Sequence, residues 1–174
     1  LVGAGIGFPF GQQSSAVKCF ETEEAVRMGA TVLDNCMNVG DLKEGKYDKV
    51  LQEFKDYKKA AGPAMTKMII ETCMLTKEEI VTATKLVAEA GIDWVKTSTG
   101  QYAGPSVSDV ILMVEALEGS DTKVKVAGVK APRPQNAFAF ILAGAELIGT
   151  QGGKEILDGV DDLRKIGLIP AYQG

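Results

Sequence analysis

Histidine is absent from all 174 residues, and this one absence removes histidine general bases, histidine-containing triads and His-liganded zinc sites together. Cysteine is scarce. Cys19, Cys36 and Cys73 are odd in number, have no C-x-x-C spacing and sit among apolar neighbours. Buried, reduced thiols in a cytoplasmic protein are therefore expected, rather than a disulfide framework or a metal site. No apolar run approaches the length of a membrane span, and no charged stretch precedes a hydrophobic core near Leu1, so neither a membrane partner nor a secretory signal is expected. A net charge of −4 and a pI near 5.0 give no general electrostatic reason to expect nucleic acid or an anionic membrane as a partner. Small molecules and other proteins are left.

The composition is 45% hydrophobic and 24% charged, with 20 glycines, as in a soluble globular domain, and residues 1–174 read as a single one. Apolar runs bounded by Gly, Pro or Asn alternate with amphipathic stretches. The pattern predicts strands over Val2–Phe8, Thr31–Asn38, Met65–Thr72, Trp94–Ser98, Lys123–Ala127 and Leu147–Thr150. Helices are predicted between and after them, over Glu21–Met28, Lys46–Ala61, Thr76–Ala90, Ser106–Leu117, Pro134–Ala143 and Ile156–Ile166. Thr76 with Glu79 forms a capping-box signature, and Gly29, Gly62, Gly91 and Gly144 follow helix ends.

Strict β-α alternation implies a parallel sheet with right-handed crossovers. A doubly wound sheet buries both faces of its strands under helices, which requires apolar residues throughout. These strands are one-sided. Val32, Asp34, Cys36 and Asn38 share a face, as do Lys67, Ile69 and Glu71, then Trp94, Lys96 and Ser98, then Lys123 and Lys125. Such strands suit a (β/α)8 barrel, polar inside near one mouth and apolar outside against helices. A whole barrel usually takes about 250 residues, and only about six βα units are legible here.

Lys96 lies in the middle of a strand, where an unpaired ammonium is expensive; it is either paired with a carboxylate or functional. Lys125 falls on the next strand at similar depth and Asp34 two strands earlier, all facing inward. A second cation beside Lys96 disfavours its charged form and favours the neutral amine that attacks carbonyls. Lys67 and Glu71, on one inward face, read as a structural ion pair, and Trp94 as barrel packing.

The stretch "DWVKTSTG" at Asp93–Gly100 resembles the signature strand of the 2-deoxyribose-5-phosphate aldolase family, class I aldolases joining acetaldehyde to glyceraldehyde 3-phosphate. In the same order come "GIGFPFG" at Gly5–Gly11, "LDNCMNVGDLKEGKYD" at Leu33–Asp48, "KMIIET" at Lys67–Thr72, "VKVAG" at Val124–Gly128 and "AGAELIGT" at Ala143–Thr150. Relative to that family the sequence starts at the third barrel strand, so the resemblance implies a TIM barrel represented by strands three to eight.

Carried over by position, the resemblance implies Lys96 as the imine-forming lysine, Lys125 as the second lysine, and Asp34 as a member of a proton relay, with no metal or organic cofactor needed. It implies a sugar phosphate or aldehyde substrate and, since barrels of this family often dimerise, a homo-oligomer. Substrate contacts are expected from Thr99 and Gly100, and from Gly128, Lys130, Gly149, Gly152 and Gly153, for which plain turn roles stand beside phosphate contact. Three positions depart from the family pattern. Gln101 stands where a lysine is usual, Val129 replaces a second glycine and precedes what reads as one inserted residue before Arg133, and Thr150-Gln151-Gly152-Gly153 replaces a serine-rich phosphate loop. An alternative expectation is therefore a barrel shifted to another sugar phosphate or aldehyde, or one retained only for binding.

Overall fold

The computed structural model describes residues 1–129 and 134–171. Six parallel strands, β1 (Gly3–Ile6), β2 (Val32–Cys36), β3 (Met65–Ile69), β4 (Trp94–Lys96), β5 (Lys123–Ala127) and β6 (Leu147–Gly149), lie side by side in the order of the sequence. That order never reverses. A doubly wound sheet must reverse to place helices on both faces, whereas right-handed crossovers repeated in one direction put every helix on the same face. The sheet therefore curls as an arc of a barrel, with β1 and β6 as its two edges.

The helices are α1 (Ser15–Arg27), α2 (Val39–Lys43), α3 (Tyr47–Ala61), α4 (Lys77–Glu89), α5 (Val107–Ala116), α6 (Pro134–Leu142), α7 (Gly153–Asp158) and α8 (Val160–Lys165). Outward strand residues Leu33, Met68, Val95, Val124 and Val126 form one continuous core with Phe54, Tyr57, Ile80, Val87, Val110 and Met113 from the helices. The Thr76 capping box closes the start of α4 in both directions, and a second, at Ser106 with Asp109, starts α5.

Strand ends and helices depart from the sequence expectation: β3 stops at Ile69 rather than Thr72 and is followed by a 3-10 turn over Thr72–Met74. α1 begins six residues before Glu21, because Ser14 caps it by accepting from the Val17 amide. A short helix, α2, capped by Asn38, precedes α3. The final predicted helix breaks at Gly159 into α7 and α8. The thiols also differ: all three are free, but only Cys36 is buried, while Cys73 is exposed in the turn after β3.

The loop after β1 is clamped over the carboxyl end of β2. Lys18 of α1 is fully buried and donates to the Cys36 carbonyl (2.8 Å) and to Glu53 of α3 (2.7 Å), fixing the backbone two residues beyond Asp34. Gly11 has a left-handed φ of 66°, and a Cβ there would lie 2.2 Å from the Met37 carbonyl oxygen and 2.7 Å from that of Cys36. Gly11→Ala therefore combines backbone strain with an overlap against main chain that cannot yield. A loss of about 2–4 kcal/mol is expected, read as a lowered urea midpoint at unchanged slope.

Candidate active site

The concave face of the sheet carries the inward residues of the alternating pattern. Register pairs Asp34 with Lys67 and, two residues further along the strands, Lys96 with Lys125, and these charged side chains from four adjacent strands meet at one point. Asp34 is their hub. Lys96 donates to its Oδ2 at 2.6 Å, Lys125 to the same oxygen at 3.3 Å, and Lys67 pairs with Oδ1 at 3.2 Å. Because two of these bonds end on one oxygen, the Lys96 and Lys125 nitrogens lie within mutual electrostatic reach. All four side chains are largely withdrawn from water.

The charges shift one another accordingly. Burial would raise the Asp34 carboxyl, but Lys96, Lys125 and Lys67 outweigh it and hold the group below the usual carboxylate value. Burial pulls the Lys125 ammonium below the ordinary lysine range; Asp34 opposes this, and the Lys96 and Lys67 charges add to it. Cys36 is the neighbouring nucleophile on this face, and burial pushes its thiol up to about 12. It is a protonated thiol at neutral pH and does not compete for an electrophile.

Lys96 and Lys125 open into a cavity of about 540 Å³ at the carboxyl end of the strands, lined also by Thr99, Gly100, Gly128, Val129, Gly149, Thr150 and Gln151. Its polar backbone turns and two amines suit a small, oxygen-rich carbonyl compound. A larger cavity of about 760 Å³ lies at the amino end, around Lys58, Asp93, Trp94 and Lys123, and holds none of the Asp34 cluster. Trp94 is half-buried and lines that end with Lys123 over its ring at 5.7 Å, outside the apolar core in which it was expected to pack.

Gly128 has a φ of 75°, and a Cβ there would meet Ser98 at 3.0 Å and the Gly100 amide at 3.2 Å. The turns after β4 and β5 thus touch backbone to backbone, which only glycine permits. Of the expected substrate contacts, Thr99, Gly100, Gly128 and Gly149 line the cavity, whereas Gly152 and Gly153 cap and start α7 beyond it. Lys130 and Arg133 lie outside the described residues.

The expected Lys67–Glu71 ion pair does not form: Lys67 goes to Asp34, and Glu71 accepts from Thr99. Lys67 is thus a third cation of the cluster that the sequence reading assigned elsewhere. The one-sided pattern placed Lys67 on the same inward face as Asp34, but only the register, which sets the two directly opposite each other, decides the pairing. The structural role of Glu71 had no signal in the sequence, because it depends on a turn conformation.

The comparisons agree with this geometry. A deoxyribose-phosphate aldolase of Streptococcus suis is 46% identical over 155 residues, covering 88% of this chain and 70% of the relative. A solved structure from Coccidioides immitis superposes with a TM-score of 0.88 at 35% identity, covering 92% of this chain and 64% of that one. The deoxyribose phosphate aldolase of Aeropyrum pernix, described as having a unique tetrameric structure, superposes with a TM-score of 0.82 at 29% identity, covering 92% of this chain and 68% of that one. Fold and relatives together make the chain a barrel-type lyase of the aldolase class. It belongs to the DeoC/LacD family of aldolases, whose model matches residues 7–160. Among the described residues no helix is long and apolar enough to cross a membrane.

Proposed function

We propose that this protein is a class I aldolase that cleaves and re-forms 2-deoxyribose 5-phosphate, from acetaldehyde and glyceraldehyde 3-phosphate, through an imine on Lys96. The observation that carries the reading is the meeting of Lys96 and Lys125, which both line the mouth cavity, on a single oxygen of Asp34. In the condensing direction the neutral Lys96 amine adds to the acetaldehyde carbonyl, and the carbinolamine loses water to give a protonated imine. That cation acts as an electron sink. A proton leaves the methyl carbon, the enamine attacks the acceptor aldehyde, and hydrolysis frees the product and the lysine. Lys125, held below the ordinary lysine range, and Asp34 are the groups within reach for these proton transfers. Thr99, Gly100, Gly128 and Gly149 would hold the phosphorylated end.

Reduction tests the covalent step directly. With acetaldehyde and borohydride the protein is expected to gain an N-ethyl group on Lys96, located by peptide mass spectrometry; modification elsewhere would assign the nucleophile to another residue. One observation favours a shifted acceptor: Val129 and Gln151 line the mouth cavity at positions where the family pattern has a glycine and a serine-rich loop. A panel of phosphorylated and unphosphorylated acceptors decides between the two. The tetrameric description of the Aeropyrum pernix relative supports a homo-oligomer, to be measured by light scattering.

A further inference from the structure

Glu71 is the one non-glycine residue with positive φ among the described residues, at φ 55° and ψ 65° just past the end of β3. A left-handed conformation costs a residue with a Cβ roughly 1–2 kcal/mol, and a nearly buried carboxylate adds a desolvation cost. Both costs are incurred at one position beside the mouth, 5% exposed. Among the described residues no cation pairs with Glu71. Its carboxylate instead reaches across to the end of β4, where it accepts from the Thr99 amide (3.2 Å to Oε2) and from the Thr99 hydroxyl (2.5 Å). Thr99 Oγ1 in turn accepts from the Gln101 amide at 3.2 Å. The turn 99–101 therefore takes its shape from Glu71. It passes that shape on, because Gly100 rests against Gly128 of the turn after β5.

We propose that Glu71 is a positioning residue: its left-handed backbone aims a buried carboxylate at Thr99 and thereby sets the two touching glycine turns that receive the acceptor half of the substrate. Among the described residues it makes no hydrogen bond or ion pair with the Asp34 cluster, and it takes no part in forming the imine. This rests on the Schiff-base reading above and extends it to how the acceptor is held.

The two substitutions that separate the carboxylate from the backbone are Glu71→Gly, which suits the left-handed conformation and deletes the side chain with its carboxylate, and Glu71→Gln, which keeps an acceptor oxygen without the charge. Both are compared with the wild type in the aldol addition of acetaldehyde to the acceptor that the wild type uses best, and separately in borohydride trapping with acetaldehyde alone. For Glu71→Gly the acceptor KM is expected to rise about tenfold or more, the scale of hydrogen bonds to a charged group, with trapping at Lys96 unchanged; Glu71→Gln is expected to fall between. Circular dichroism establishes that each variant is folded. An unchanged acceptor KM in folded Glu71→Gly, or trapping that declines as KM rises, overturns the proposal. Failure of the wild type itself to trap acetaldehyde overturns the Schiff-base reading instead, so the two failures are distinct.

Discussion

Lys96→Ala is expected to lower turnover by about 10⁴-fold or more and to abolish borohydride trapping, because no other group in the cluster replaces a lost nucleophile at the same place. Its fold should survive. Asp34 keeps Lys125 on Oδ2 and Lys67 on Oδ1, so the carboxylate is not stranded, and the thermal midpoint should move by only a few degrees. Lys96→Arg separates charge from nucleophilicity. A guanidinium keeps a cation beside Asp34 yet stays protonated, so this variant should be as inactive as the alanine and at least as stable. Steady-state kinetics with intact-mass analysis checks both. Near-native turnover in either variant would rule out an imine at this position, whatever the fold of the protein.

The second large effect falls on Asp34. Replacing it with Ala leaves Lys67, Lys96 and Lys125 around a largely buried point with no anion among them. Breaking a buried ion pair commonly costs 3–5 kcal/mol, and the open side of the arc with the ability of amines to shed protons reduces this to about 2–3 kcal/mol. The pH dependence has a definite sign. The folded Asp34 carboxyl is held below its unfolded value, so its stabilisation is fully present above about pH 4 and is lost as the pH falls through the folded value. The gap in urea midpoint between wild type and Asp34→Ala should hold at neutral pH and close in acid. Lys125 acts in the alkaline range. Its ammonium is disfavoured by folding, so stability should rise as the pH climbs from its lowered value towards the free-lysine value of about 10.4. On the proposed chemistry, Asp34→Ala should also lower turnover by about 10²–10³-fold, the usual scale of a lost acid-base group. A variant with full stability at neutral pH would mean that the three lysines do not depend on this carboxylate.

Much of this was legible in one dimension. The period of two along the strands, with Asp34, Lys67, Lys96 and Lys125 alternating against Leu33, Met68, Val95 and Val124, already separated a polar inner face from an apolar outer one. Side chains on a strand alternate whatever their surroundings, so the one-sided strands that suit a barrel, and the placing of Asp34, Lys96 and Lys125 on one inward face, followed from pattern alone. Helix starts were legible wherever a cap was complete, as at Thr76. They were missed where a cap lacked its partner three residues on, as at Ser14.

What the tertiary structure decided was which partner each buried charge takes. Lys67 could pair along its own strand with Glu71 or across to Asp34, and the choice depended on the left-handed turn at Glu71, which carries that carboxylate away from the concave face and towards Thr99. A backbone conformation that is costly for a non-glycine residue leaves no composition signal. It persists because contacts remote in sequence over-determine it. The contact between the Gly100 and Gly128 turns is of the same kind: glycines at both positions are plain in the sequence, but that they touch is set by the curvature of the sheet between β4 and β5. The inventory of chemical groups was thus a property of the chain, and the pairing among them a property of the fold, because electrostatic and hydrogen-bond energies depend on distances that no linear spacing contains.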